Sequence, residues 1–332
     1  HLKNRCLQEQ RSADRKGIIL IRTEEFTFDS RDGKTKLHAM RWLPDGEPAA
    51  VLQIIHGMNE YIRRYDAFAT YMAERGFVVV GEDHLGHGES VPEGGTYGYF
   101  CDNDPATVVV RDVHRLKKLT QQDYPALPYL ILGHSMGSFI LRNYITRYGT
   151  GISGAIICGT GTPKKSQLVG GKLLTAILGK LKGDTYVSKL VNEMSTKAYM
   201  SGEGMETELD WLCSDRAVQE AYAKDPLCSG FTFTVNGYHT LYELAHRMQK
   251  KENLAKIPKK LPILIVSGTE DPVGDRGEAP KALYDTLLHL DITKTTLKLY
   301  NGARHELLNE KIKETVYYEL YNWMEIVLNE LQ

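Results

Sequence analysis

Apolar residues recur along this chain in two rhythms, and their alternation predicts most of the architecture. Short apolar runs at Val51–Ile55, Phe77–Val80, Tyr129–Leu132, Ile152–Ile157, Pro262–Val266 and Thr296–Tyr300 have the length of buried strands. Between them the spacing changes to three and four. Tyr65, Phe68, Ala69 and Met72 share one face of a helix over Tyr61–Arg75. Further helices are predicted from Pro105 to Asp123, from Ser135 to Tyr148 and from Glu306 to Leu331. Gly17–Asp29 and Thr35–Trp42 flank a turn at Arg31-Asp32-Gly33 and read as an antiparallel hairpin. Strands alternating with helices predict an α/β fold: a mainly parallel central sheet of about eight strands, flanked by helices, with the hairpin at one edge.

The alternation breaks once. From Thr162 to Lys250 there is no buried-strand run, only helix-like segments. Leu173, Leu174, Ile177, Leu178 and Leu181 form an apolar stripe among Lys172, Lys180 and Lys182. The chain therefore divides into a core of residues 18–161 and 251–332, a helical cap or lid of residues 162–250, and an N-terminal arm of residues 1–17. The arm is charged and lacks the apolar stretch of a signal peptide.

Composition narrows the class. At 332 residues and 42% hydrophobic content, one large domain with an insertion can bury a substantial core. Lys and Arg number 41 against 42 Asp and Glu, so the basic excess of a nucleic-acid partner is missing. No apolar run approaches the roughly 20 residues of a membrane span. Five scattered cysteines, Cys6, Cys101, Cys158, Cys213 and Cys228, show no CxxC spacing, so they read as small buried hydrophobes in a reducing, cytoplasmic setting.

The chemistry concentrates where strands end. Gly133-His134-Ser135-Met136-Gly137 places a serine between two glycines, at the junction of a strand and a helix. That is the arrangement of a nucleophile elbow, in which a tight turn lifts the hydroxyl above the sheet. A serine hydroxyl needs a base, and the base an orienting carboxylate. The Pro262–Val266 strand is followed by Glu270-Asp271-Pro272 and the last strand by Arg304-His305-Glu306. Ser135, Asp271 and His305 thus stand in the order serine, acid, histidine, each just past a strand. Glu270 and Asp275 are the alternative acids. A tetrahedral intermediate requires two N–H donors. Met136, after the serine, supplies one; Met58, in the loop His56-Gly57-Met58-Asn59-Glu60, is the choice for the second, with Asn59 as the alternative. His56 reads as a loop anchor. His84 and His87, close to Asp83 in a glycine-rich loop, raise the question of a metal and read instead as a hydrogen-bonded brace. The reading needs no metal and no cofactor.

Five stretches resemble one family. Besides Gly-His-Ser-Met-Gly, "GFVVVGEDHLGHGES" (Gly76–Ser90), "HGMNEYIRRYDAFATYMAERGF", "GTEDPVGD" and "LYNGARHELLNE" are similar to the loops of monoacylglycerol lipases and related bacterial lysophospholipases, the serine aminopeptidase-like α/β-hydrolases. "DPLCSGFTFTVNGY" (Asp225–Tyr238) resembles a cap segment of the bacterial members. The likeness spans about residues 20 to 330. It implies an α/β-hydrolase fold and a serine hydrolase that cleaves lipid esters, monoacylglycerol first, with a lysophospholipid or a short-chain or aryl ester as alternatives. Acyl transfer and a catalytically silent binding module are the other classes. The family often carries a histidine where this chain has Tyr61, and the glycine-proline-rich loop of proline iminopeptidases is missing, so aminopeptidase activity is not expected. Candidate substrate contacts are Gly57, Asn59, Leu174, Leu178, Phe231 and Phe233, and the cap stripe is a candidate for transient contact with a membrane surface.

Overall fold

The computed structural model describes residues 7–8, 21–200 and 205–331. The strands are β1 (Leu7–Gln8), β2 (Arg22–Asp29), β3 (Lys36–Leu43), β4 (Ala50–Ile55), β5 (Phe77–Glu82), β6 (Tyr129–His134), β7 (Gly154–Cys158), β8 (Ile263–Gly268) and β9 (Thr295–Tyr300). They form one sheet in the order β1-β2-β3-β5-β4-β6-β7-β8-β9. β1, β2 and β3 pair antiparallel, as do β3 and β5, and every pair from β5 through β4 to β9 is parallel. Eight strands of five to eight residues carry the sheet, as the hydrophobic pattern predicts, and the arm adds the two-residue β1 at the edge.

The described residues also form ten α-helices: α1 (Asp66–Ala73), α2 (Pro105–Asp123), α3 (Met136–Tyr148), α4 (Lys165–Lys182), α5 (Lys189–Met200), α6 (Arg216–Lys224), α7 (Val235–Arg247), α8 (Lys251–Leu254), α9 (Glu278–His289) and α10 (Lys313–Asn329). The period-two pleat sorts each parallel strand between two cores. Val51 and Ile55, Val78 and Val80, Ile131, Ile157 and Ile265 meet α2, α3, α7 and α9 on one face. Leu52 and Ile54, Val79, Leu130 and Leu132, Ile156 and Val266 meet α1 and α10 on the other. Strands apolar on both faces can only lie inside such a sandwich, which is why they read as continuous runs.

Three boundaries differ from the sequence expectation. The helix expected over Tyr61–Arg75 is a 3-10 turn at Ile62–Tyr65 followed by α1. The strand expected at Ile152 begins at Gly154. The closing helix expected from Glu306 begins at Lys313, because Glu306 and Glu310 turn their carboxylates inward, to Arg64 and to Ser214 and the Arg304 N–H. Residues 17–20 and Cys6 lie outside the described residues. Cys101, Cys158, Cys213 and Cys228 are free and buried.

Between β7 and β8 the chain is helical, α4 to α8. α7 packs on α4 and also on α3 and α2, so it belongs to the same core as the sheet. The α4 stripe divides. Leu174 and Leu178 are half-buried against that core, whereas Leu173, Ile177 and Leu181 face solvent.

Candidate active site

Ser135 follows β6 and precedes α3 with φ 55° and ψ −121°, a backbone conformation that L-residues rarely adopt. The turn is held from outside: the Ser135 N–H donates to the Cys158 carbonyl at 3.0 Å, and the Ser138 hydroxyl donates to the Ser135 carbonyl at 2.6 Å. The flanking glycines are needed for contact, not only for flexibility. A Cβ at Gly137 would lie 2.1 Å from the Ile55 carbonyl oxygen, and one at Gly133 would lie 2.4 Å from that of Gly137. Only glycine lets α3 start this close to the end of β4.

The loops after β8 and β9 bring two further side chains to the hydroxyl. His305 Nε2 lies 2.8 Å from Ser135 Oγ. His305 Nδ1 lies 3.0 Å from each oxygen of Asp271. A carboxylate only accepts, so Nδ1 carries the proton and Nε2 is the acceptor facing the serine. Asp271 is fully buried and is steadied by the Val273 N–H at 2.9 Å. The alternative acids lie elsewhere: Glu270 is half-exposed and faces Arg276, 3.8 Å away, and Asp275 opens a short 3-10 turn.

Met136 is the first residue of α3, and its N–H belongs to the helix end that has no intrahelical acceptor. Met58 is half-buried beside the elbow loop, where Gly57 is so close that a Cβ would meet Ser135 Cβ at 2.9 Å. Asn59 has φ 55°, and its side-chain amide donates to the carbonyls of Cys228 and Phe231 at 3.1 and 2.8 Å. It thereby ties the loop to the segment that carries Phe231. Phe231 is half-buried, and Phe233 is fully buried among His87, Phe100 and Tyr238.

The histidines of the glycine-rich loop are bonded to protein groups. His56 Nε2 accepts from the His84 N–H at 3.0 Å, His84 Nε2 faces the His56 carbonyl at 3.1 Å, and His87 Nδ1 faces the Leu85 carbonyl at 3.0 Å. They join the loop after β5 to the loop after β4. Burial, and then the neighbouring His87, push His84 down to about 3, so it stays neutral. Among the described residues Glu25, His38 and Glu89 come close enough to share a cation, but Arg63 already sits 2.9 Å from Glu25 and 3.3 Å from Glu89.

A buried polar hub was not foreseen from the sequence. Glu60 Oε1 accepts from the Gly57 N–H at 2.5 Å, the Tyr65 hydroxyl at 2.9 Å and His134 Nδ1 at 3.0 Å; Oε2 accepts from Arg64 at 3.1 Å. Arg64 also clasps Glu306 at 2.6 and 2.9 Å, and His134 Nε2 faces the His305 carbonyl at 3.2 Å. Both His134 nitrogens face acceptors, so both carry protons. Burial works against these charges, but the hydrogen bond and charge of each partner win: the Glu60 carboxyl is held well below its usual range and His134 above its own. The hub links the loop after β4, the residue before Ser135 and the histidine loop. The only sequence hint was the four-residue spacing of Glu60 and Arg64. The segment after α5 closes the other side, with the Trp211 carbonyl 3.3 Å from the His305 N–H and its ring centroid 5.2 Å from the His305 ring.

This arrangement is set in a known lineage. The family model for serine aminopeptidase, S33, matches residues 46–312. The chain is 27% identical over 287 residues to the monoacylglycerol lipase of Mycolicibacterium smegmatis, covering 85% of this chain and 90% of that protein. It is 28% identical over 295 residues to the human monoglyceride lipase, covering 85% and 84%. A highly thermostable carboxyl esterase from Bacillus coagulans, solved in complex with glycerol, superimposes with a TM-score of 0.84 at 29% identity, over 92% of this chain and 99% of that one. A match that runs from before β4 to the start of α10 takes in every strand-end loop described above, and with it the chain belongs to the serine aminopeptidase, S33, family of α/β-hydrolases and is a carboxylic ester hydrolase.

Proposed function

We propose that this protein hydrolyses monoacylglycerols through an acyl-enzyme on Ser135, with His305 as base and Asp271 as its orienting carboxylate. The observation that carries the reading is the unbroken chain of contacts from Asp271 through His305 to Ser135 Oγ. Ser135 Oγ attacks the ester carbonyl carbon while its proton passes to His305 Nε2. Asp271 keeps the Nδ1 proton in place and balances the imidazolium. The N–H groups of Met136 and Met58 receive the oxyanion. The glycerol oxygen leaves with the proton from Nε2, and water then repeats the sequence to release the fatty acid. No step needs a metal or cofactor.

Residues 162–250 act as the cap over this site in the proposal. The relatives named as monoacylglycerol and monoglyceride lipases support the substrate. So does the surface of the cap, where Leu173, Leu181, Leu190 and Met194 are more than half exposed. Apolar side chains grouped like this favour a lipid interface, with Lys180, Lys182 and Lys189 beside them for headgroups. No helix among the described residues is long and apolar enough to cross a membrane. The free cysteines fit a reducing, cytoplasmic location. The test is fatty-acid release from a medium-chain monoacylglycerol and the matching lysophosphatidylcholine, side by side, with Ser135→Ala as control. Serine-dependent release from the first is expected. Release mainly from the second would make the protein a lysophospholipase, and release from neither would redirect the search to small soluble esters.

A further inference from the structure

A second site lies away from Ser135. A cleft of about 450 Å³ opens between the β2–β3 turn, the loop of residues 85–103 and Thr185. Its apolar lining includes Leu85, Phe100 and Val108, and its charged lining is Arg31 and Lys34 with Asp32 and Asp102. An adjoining cavity of about 410 Å³ shares Arg31 and Lys34 and adds Arg111 and Arg115. These last two stand one turn apart on α2 and so face the same way.

The frame of this site is firm. Asp112 of α2 is buried and accepts from the Ser30 hydroxyl at 2.7 Å and the Arg31 N–H at 2.5 Å, which pins the turn to the helix. The cations are underused. Among the described residues, neither the Arg31 nor the Arg111 guanidinium has an acidic partner within 4 Å; Arg115 reaches Asp29 only at 3.9 Å, and its Nε is buried without a hydrogen-bond partner. The nearby acids are already engaged: Asp29 with Lys36 and more distantly with Arg115, Asp32 within its own turn through Lys34 N–H and Thr35, and Asp102 with Lys34 and Tyr99.

Guanidinium forks around a shallow cavity suit an oxyanion that accepts several hydrogen bonds, above all a phosphate group. The neighbourhood narrows the source. Thr185 on the rim is followed by exposed Tyr186, Val187 and Leu190 and preceded by exposed Leu181, so the cleft is continuous with the apolar surface of the cap. We infer that the cavity of Arg31, Arg111 and Arg115, which adjoins this cleft through Arg31 and Lys34, binds the phosphate headgroup of an anionic lipid, so that the protein docks preferentially on anionic surfaces. The inference rests on the lipid-interface reading of the cap given above.

The test is co-sedimentation of the full chain with vesicles of phosphatidylcholine alone and with a quarter phosphatidylglycerol, at two salt concentrations, and with glycerol 3-phosphate as a soluble competitor. Stronger partition onto the anionic vesicles is expected, declining as salt rises. In Arg111→Glu/Arg115→Glu that gain should fall at least about fivefold per cation removed, roughly 25-fold for the pair. Turnover of a soluble short-chain ester should be unchanged in the same variant, which also reports its folding. Arg31→Gln should lose about fivefold and serves if the double variant does not fold. Equal partition of wild type and variants onto anionic vesicles would overturn the proposal. Arginine-dependent binding of glycerol 3-phosphate with no effect of vesicle charge would overturn the lipid source. Absence of any Ser135-dependent turnover would instead count against the proposed function, and the vesicle measurement would stand apart from it.

Discussion

Glu60→Gln is the most informative single change in this protein. The carboxylate is buried and receives four donors, three on Oε1 from Gly57, Tyr65 and His134 and one on Oε2 from Arg64. Glutamine keeps the shape, and its oxygen can take the Oε1 position. Its amide then points donor to donor at Arg64, and His134 loses its counter-charge. Removing one member of a buried ion pair costs about 3–5 kcal/mol. Arg64 keeps both contacts to Glu306, so the lower end applies, about 3 kcal/mol. At about 2 °C per kcal/mol for a chain of this length, Tm should fall by about 6 °C. The pH dependence is distinctive. A carboxyl held low in the fold adds stability above its unfolded value of about 4.3, lost as pH falls through the folded value. A histidine held high adds stability below its unfolded value of about 6.5, lost as pH rises through the folded value. The wild-type advantage should therefore be greatest between about pH 4.5 and 6.5 and shrink on both sides. Urea unfolding of both proteins from pH 4 to 9 reads it directly. Ester turnover should drop mainly in kcat, by about tenfold, because Glu60 positions the loop that carries the Met58 N–H. A stability gap under 1 kcal/mol at pH 6, or one that does not vary with pH, would remove the hub from this role.

The catalytic assignment gives a group of outcomes measured with one soluble ester. Ser135→Ala, His305→Ala and their double variant should lose the same activity, as residues acting as a unit do, whereas Asp271→Asn should retain more, with a loss of about 10⁴. Glu270→Gln should stay near wild type because its carboxylate faces Arg276 at the surface; a larger loss there than at Asp271 would reverse the assignment. Gly137→Ala should destabilise by about 3 kcal/mol or fail to fold, since its Cβ would overlap the Ile55 carbonyl, and a thermal melt decides this. Leu173→Asp/Leu181→Asp should keep stability within about 1 kcal/mol and leave the soluble ester unaffected. The same pair should lower turnover of a micellar monoacylglycerol; equal rates on both substrates would refute the interfacial role.

Much of this molecule is legible in its sequence. Strands buried on both faces must be continuously apolar, so β4 to β8 stand out, and their alternation with helices leaves one class of sheet. Ser135, Asp271 and His305 were legible for a related reason. Each lies just past a strand end, and a parallel sheet collects its strand ends on one edge whatever the sequence distance between them. What the sequence could not decide was which side chains meet across that edge. Glu60 and His134 are 74 positions apart, and Arg64 and Glu306 are 242 apart. As residue types they are ordinary surface residues, and only folding strips their water and makes them bond to one another. The same limit explains the helix boundary at Glu306 and the divided stripe of α4. Helical spacing marks an apolar face, but the face is buried only where a neighbour arrives. α7 reaches α4 along Gly171 and Thr175, with the Tyr242 ring against the glycine, and leaves Leu173, Ile177 and Leu181 in solvent. Local pattern determined the elements and the order of the chemistry; long-range packing determined which charges are buried in pairs and which apolar surface remains open.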